Sequence, residues 1–177
     1  MKSYDYKKRK GIKKISWESF YNYCKRLAEK ASNENFDVII GLARGGLFPA
    51  TTISCMLRKE FFPVRISRRE GDVIKYKRPS WKVDISDKIK NKKVLIVDDV
   101  ADTGETLSLV VKRAHVKRAK NIKTLTIVTH SWAKQKPDYF AIKSDALIIF
   151  PWDYKVLIQR KWQLNPELQK AIKSQKR

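Results

Sequence analysis

The chemistry of this chain concentrates in Asp98-Asp99 and, two small residues later, Asp102-Thr103-Gly104-Glu105-Thr106. Adjacent carboxylates accept hydrogen bonds from hydroxyls or hold a divalent cation. A glycine-containing loop that opens a helix offers backbone N–H groups and the positive end of the helix dipole, both suited to a phosphate. Thr103 and Thr106 add hydroxyl donors. Asp98, Asp99 and Asp102 would repel a bare phosphate, so the ligand must also carry hydroxyls or arrive with a cation. A phosphorylated sugar with Mg2+ meets both demands.

The flanking residues say what positions this stretch. Val94-Leu95-Ile96-Val97 is an unbroken apolar run, the pattern of a strand buried on both faces of a parallel sheet. The acids follow at its C-terminal end, and an apolar helical run begins at Leu107. A second junction of the same kind lies earlier. Asp37–Leu42 reads as a buried strand, Ala43-Arg44-Gly45-Gly46 as a loop, and Leu47–Leu57 as an apolar helix. Arg44 suits a bidentate phosphate contact. Gly45 and Gly46 allow positive φ or a close backbone approach to a ligand. Repeated strand–loop–helix units predict an α/β fold with a mainly parallel central sheet flanked by helices, and ligands beyond the strands' carboxyl ends.

The remaining elements follow from periodicity. Ser16 caps a helix whose buried face carries Trp17, Phe20, Tyr21, Cys24, Leu27, Ala28 and Ala31. Phe61–Ile66 is a strand. Residues 67–84 are polar, basic and broken by Gly71 and Pro79, a long loop of the functional kind. Leu107, Val110, Val111 and Ala114 mark the buried face of a helix, with His115 near its surface. Ile122–Thr129 is a strand ending at His130-Ser131-Trp132, and Pro137–Phe140 begins an extended segment. A strand through 146–150 leads to Pro151-Trp152-Asp153. Asn165-Pro166-Glu167 is a helix start. The chain is expected to form a single domain over 1–177. Its core is 36–155, preceded by a basic arm and helix (1–35) and followed by a basic C-terminal helix (156–177).

At 42% hydrophobic residues the chain can bury a sizeable core, and its apolar runs are too short to span a membrane. The Lys-rich N-terminus lacks an apolar signal region, so a cytoplasmic location is expected. Cys24 and Cys55 lie in apolar patterns and read as reduced core residues. The net charge of +22 suits an anionic substrate. Nucleic-acid binding is the competing reading of that charge and is not favoured, since solvated basic tails explain most of it. A receiver domain also pairs acids at a strand end, but on its first strand, whereas a long segment precedes the pair here. A Walker A loop needs Gly-Lys-Ser/Thr after its glycines, which is absent.

The order of apolar strand, two acids, two small or apolar residues, Asp-Thr-Gly, one residue and Thr resembles the PRPP-binding motif of the type I phosphoribosyltransferases. The Arg44-Gly45-Gly46 junction is similar to that family's pyrophosphate loop, where the peptide before the arginine is often cis. Ile148-Ile149-Phe150-Pro151-Trp152-Asp153 looks like the purine-wrapping segment of the xanthine–guanine enzymes of bacteria and their archaeal relatives. The resemblance implies Mg2+-dependent transfer of phosphoribose from PRPP to a nucleobase, most readily a 6-oxopurine. It implies that Asp98 and Asp99 hold the ribose hydroxyls and, with Asp153, the metal. Asp102 is implied as general base, with Asp102, Thr103, Gly104, Glu105 and Thr106 around the 5′-phosphate, and Arg44 and Gly45 at the pyrophosphate. A mobile hood over residues 67–84 is implied, with Arg68, Arg69, Lys75, Lys77 and Arg78 as its candidate cations. Family members are usually homodimers or homotetramers.

The base site departs from the family pattern. A lysine that donates to the purine O6 is replaced by His130, and a stacking aromatic by Leu147, while Ile148 offers its backbone to the base edge. Trp132 or Trp152 would then supply the π-face. The alternatives are the same chemistry on another base, or a PRPP-sensing or nucleic-acid-binding regulator on the same fold.

Overall fold

The computed structural model describes residues 9–67, 69–70, 73–74 and 80–175. In chain order the elements are β1 (Ile12–Lys14), α1 (Trp17–Ser32), β2 (Val38–Leu42), α2 (Leu47–Leu57), β3 (Glu60–Ser67), β4 (Arg69–Glu70), β5 (Val73–Ile74) and β6 (Ser80–Val83). They continue with β7 (Lys93–Ala101), α3 (Glu105–Val116), β8 (Asn121–Thr129), β9 (Tyr139–Lys143), β10 (Leu147–Ile149), β11 (Lys155–Ile158), β12 (Lys161–Leu164) and α4 (Pro166–Gln175). Residue contacts divide the chain into two compact units, Tyr21–Ser144 and Met1–Phe20 with Asp145–Arg177.

The larger unit is built on a sheet of order β6-β3-β2-β7-β8-β9. All neighbours are parallel except β3 and β6. The fold is therefore mixed α/β with a mostly parallel central sheet flanked by helices, as the strand–loop–helix pattern predicts. At the centre, β2 is buried throughout and β7 is buried over Val94–Val97, which is why these stretches read as continuous apolar runs. Asp37 fixes their register: its backbone N–H donates to Lys93 O at 2.9 Å, and its carboxylate accepts from Lys93 N at 2.8 Å. Asp138 does the same for β8 and β9, accepting from Thr124 N and Thr124 Oγ1, each at 2.8 Å.

Strand alternation sends side chains to both faces. Val38, Ile40, Leu42, Val94 and Ile96 join Leu107, Val110 and Ala114 of α3 in one core cluster. α2 packs close to β2 at Gly41, where an added Cβ would lie 2.6 Å from Ala50 Cβ. α1 carries Phe20, Cys24, Leu27, Ala28 and Ala31 buried as expected, and Ser16 Oγ caps it by accepting from Ser19 N at 3.1 Å. Trp17 and Tyr21, assigned to the same face, are 55% and 56% exposed, so the buried stripe is narrower than the aromatic one.

In the smaller unit β1 pairs with β10 in parallel, making the N-terminal segment an edge strand. The expected helix over 156–177 is corrected. β11 and β12 form an antiparallel hairpin, and among the described residues the helix is confined to α4. Val156, Leu157 and Ile158 favour extended backbone, and the turn residues Gln159 and Arg160 take left-handed φ of 48° and 61° without glycine. Asn165 caps α4, accepting from Glu167 N at 3.0 Å.

Both cysteines are free. Burial pushes the Cys24 thiol up to about 12. Cys55 is exposed, contrary to its core assignment. No helix among the described residues is long and apolar enough to cross a membrane.

Candidate functional site

Pairing with β8 extends β7 through Val100 and Ala101, so Asp98 and Asp99 lie within the strand rather than beyond its end. Successive strand residues face opposite sides of the sheet. The loop after β2 meets both acids. A Cβ on Gly45 would lie 2.7 Å from Asp99 Cγ, with Oδ2 closer still. A Cβ on Gly46 would lie 2.7 Å from Asp98 Oδ1 and 2.8 Å from Asp98 Cα. Gly46 has an ordinary helical φ of −64°. These glycines are thus required by space rather than by backbone conformation. The peptide between Ala43 and Arg44 is cis, and the Arg44 side chain is exposed beside this contact.

The two carboxylates are strained electrostatically. Burial, and then the charge of Asp99, raise the Asp98 carboxyl well above the ordinary carboxylate range. Its Oδ1 accepts from Asp99 N at 2.9 Å, and Asp99 Oδ1 accepts from Val100 N at 2.8 Å. Asp98 pairs in register with Thr126, whose hydroxyl is buried and, among the described residues, makes no hydrogen bond. Donor hydroxyls or a cation arriving here would relieve the pair. The donor set suits a hard cation. Among the described residues no group of three or more His, Cys, Asp or Glu could hold a metal alone.

The Asp102–Thr106 loop follows directly. Gly104 takes φ +81°, the left-handed turn that starts α3. Thr103 Oγ1 accepts from Glu105 N at 3.3 Å, and Ser108 N is the next donor, to Gly104 O at 3.0 Å. Thr103, Glu105 and Thr106 are exposed at this helix start, while Asp102 is half-buried. Hydroxyls and helix N–H groups therefore face outward where an anion would sit.

A segment not singled out as a unit in the sequence lines the other side of this loop. His130 N donates to Ala101 O at 3.2 Å, and Lys134 N donates to Thr103 O at 3.0 Å. The Trp132 indole N–H donates to Asp102 Oδ1 at 2.9 Å. A Cβ on Gly104 would lie 2.7 Å from Gln135 Cβ. His130, expected to donate to a base, is instead 1% exposed, with Nδ1 against the Ser144 carbonyl. Its ring stacks on Trp132 at 4.4 Å and 13°. A carbonyl only accepts, so Nδ1 carries a proton.

The other residues proposed for the base lie in the smaller unit. Leu147 and Ile148 are buried in β10. Leu147 N donates to Gly11 O, and Ile149 O accepts from Ile15 N, each at 2.9 Å. In a parallel ladder the alternate residue faces the other way, so the Ile148 N–H and C=O point away from β1. Trp152 stacks on Phe150 at 4.5 Å and meets Phe20 edge-on at 5.1 Å. Asp153 is exposed and accepts from Asn165 Nδ2 at 2.9 Å. Of the hood, β4 and β5 pair as a short hairpin. The side chains of Arg68, Arg69, Lys75, Lys77 and Arg78 lie outside the described residues.

A family sequence model described as the phosphoribosyl transferase domain matches residues 16–159. The chain belongs to that family. The crystal structure of a purine phosphoribosyltransferase from Pyrococcus horikoshii is 33% identical and matches with a TM-score of 0.75. That match covers 84% of this phosphoribosyl transferase family chain and 98% of the other. An orotate phosphoribosyltransferase of Sulfurisphaera tokodaii is 31% identical over 68% of the chain, which spans only 57% of that enzyme. A xanthine-guanine phosphoribosyltransferase of Cereibacter sphaeroides is 26% identical over 78% of the chain and 85% of its own length.

Proposed function

We propose that this chain transfers the 5-phosphoribosyl group of PRPP to a 6-oxopurine, giving the nucleoside 5′-monophosphate and pyrophosphate. The observation that carries the reading is the contact of Gly45-Gly46 with Asp98-Asp99, beside the outward-facing start of α3. Asp98 and Asp99 accept from the ribose hydroxyls. The α3 N–H groups with Thr103 and Thr106 receive the 5′-phosphate, and Arg44 with Gly45 receives the leaving pyrophosphate. Asp98 and Asp99 would hold Mg2+, which would supply charge neutralisation to the substrate; Asp153, within the smaller unit, is a further candidate ligand. Asp102 acts as general base toward the purine, and its charge stabilises an oxocarbenium-like transition state.

For the base, coverage of nearly the whole P. horikoshii purine enzyme supports a purine over orotate. Ile148 presents its backbone to the base edge, with Leu147 and Trp152 packing about it. His130 acts here by holding Trp132 rather than by donating to O6. A homodimer or homotetramer in the cytoplasm is the accompanying expectation. The test is incubation with PRPP, Mg2+ and guanine, hypoxanthine, xanthine, adenine, uracil or orotate separately, with nucleotides read by chromatography. A 6-oxopurine nucleotide is expected. No product with any base, together with tight salt-sensitive RNA binding, would replace this reading with that of a nucleic-acid-binding regulator, the alternative that the +22 charge motivates.

A further inference from the structure

Asp102 does not stand alone at the end of β7. The β7–β8 ladder ends at Ala101 and Thr129, yet the two chains stay joined beyond it. His130 N bonds Ala101 O, Trp132 Nε1 bonds Asp102 Oδ1, Lys134 N bonds Thr103 O, and Gln135 lies against Gly104. Residues 130–135 thus form a mould along the Asp102–Gly104 loop. Only one of these contacts reaches a functional side chain, and that is the indole N–H at 2.9 Å from Asp102.

The indole is itself fixed. It lies nearly parallel on the His130 ring, 4.4 Å away. His130 is 1% exposed and tied through Nδ1 to the Ser144 carbonyl, and Ser144 N donates back to Thr129 O at 3.0 Å. A donor locked this way costs little ordering entropy when a substrate binds.

We infer that Trp132 is a positioning residue for the phosphoribosyl transfer. Its indole N–H holds the Asp102 carboxylate through Oδ1 and so fixes the orientation from which that group acts, and His130 serves as the indole's backing plate. The inference rests on the reading of Asp102 as general base. An indole N–H has one donor and no acceptor, so it orients the carboxylate without competing for a proton.

The test compares Trp132→Phe, which keeps the stack on His130 but loses the N–H, with Trp132→Ala, which loses both. Trp132→Phe is expected to lower kcat about 10-fold, the scale of one hydrogen bond to a charged group, with the KM for PRPP within about twofold. Independently, the Trp132 indole resonance in a 1H–15N spectrum, identified by its loss in Trp132→Phe, should move in Asp102→Asn. A purely structural Trp132 predicts that Trp132→Phe matches the wild type and only Trp132→Ala suffers. That result, or an indole signal unmoved by Asp102→Asn, overturns the inference while leaving an active wild type and the proposed function intact. A wild type inert with every base overturns the proposed function, and this inference with it.

Discussion

Replacing Gly45 by alanine should separate stability from substrate binding. The new Cβ would lie 2.7 Å from Asp99 Cγ and closer still to Oδ2. Ordinary contacts between such atoms are about 3.5–4.0 Å, so Asp99 Cγ must retreat by about 1 Å and Oδ2 by more. It is the end of a short side chain and can swing away. Swinging forfeits its hydrogen bond from Val100 N at 2.8 Å, about 1 kcal/mol, and adds off-rotamer strain of about 1 kcal/mol. For a chain of this length about 2 kcal/mol lowers Tm by about 4–8 °C. The fold therefore survives. Ligand placement does not, because a displacement of about 1 Å at a reacting site costs about 100-fold. Gly46→Ala is the internal control. There the new Cβ meets Leu42 O at 2.6 Å and Asp98 Cα at 2.8 Å, both backbone atoms that cannot swing aside, so Tm should fall further. Thermal unfolding read by circular dichroism, and calorimetric titration with PRPP and Mg2+, measure the two quantities. Gly45→Ala with wild-type PRPP affinity would show that the Asp99 carboxylate is not part of the ligand site.

Asp98→Asn should stabilise the protein at neutral pH while weakening PRPP binding. The folded Asp98 pKa is raised, so above the unfolded value of about 3.9 the unfolded chain ionises first and wild-type stability declines as pH rises. Asparagine has no proton to lose, so its advantage should vanish near pH 3 and grow above about pH 4. Equal pH slopes in urea denaturation would remove the burial argument. Asp84 has the opposite sign. The hydrogen bond from Arg113 leads in holding its carboxyl down at about 2, so that contribution is present above about pH 3.9 and is lost as pH falls toward about 2. Both side chains are over a third exposed, so the effect is small, and Arg113→Ala should flatten the acid side of the stability curve only slightly. Asp102→Asn should cut kcat at least 100-fold with the PRPP affinity unchanged in calorimetry, and wild-type turnover in that variant would free Asp102 of its role.

What the sequence showed best were the features written locally. The apolar runs of β2 and β7 and the capping serine of α1 are each set by neighbours in the chain, and each stands where expected. The α4 start at Asn165-Pro166 does too. What it showed poorly depends on partners remote in sequence. Asp98 and Asp99 break the apolar run and so look like the end of a strand, but pairing of Val100 with Val128 and of Ala101 with Thr129 carries β7 past them. The β11–β12 turn lacks glycine and asparagine, so no local signal marks it. The ring chemistry of His130 is visible in the sequence, whereas its burial and its stack on Trp132 depend on how the chain folds around it.

Gly45 and Gly46 show why a correct position can carry an incomplete reason. Sequence offers backbone freedom or approach to a ligand as explanations for adjacent glycines. The helical φ of Gly46 removes the first, and the distances to Asp98 and Asp99 supply a third, crowding by another strand. That crowding couples the two junctions. The loop that offers Arg44 can hold its path only if it carries no side chain where the acids stand. The acids in turn face that loop at close range, so a side chain added to the loop displaces an acid or the loop itself. A substitution at either glycine is therefore a substitution in the acidic pair.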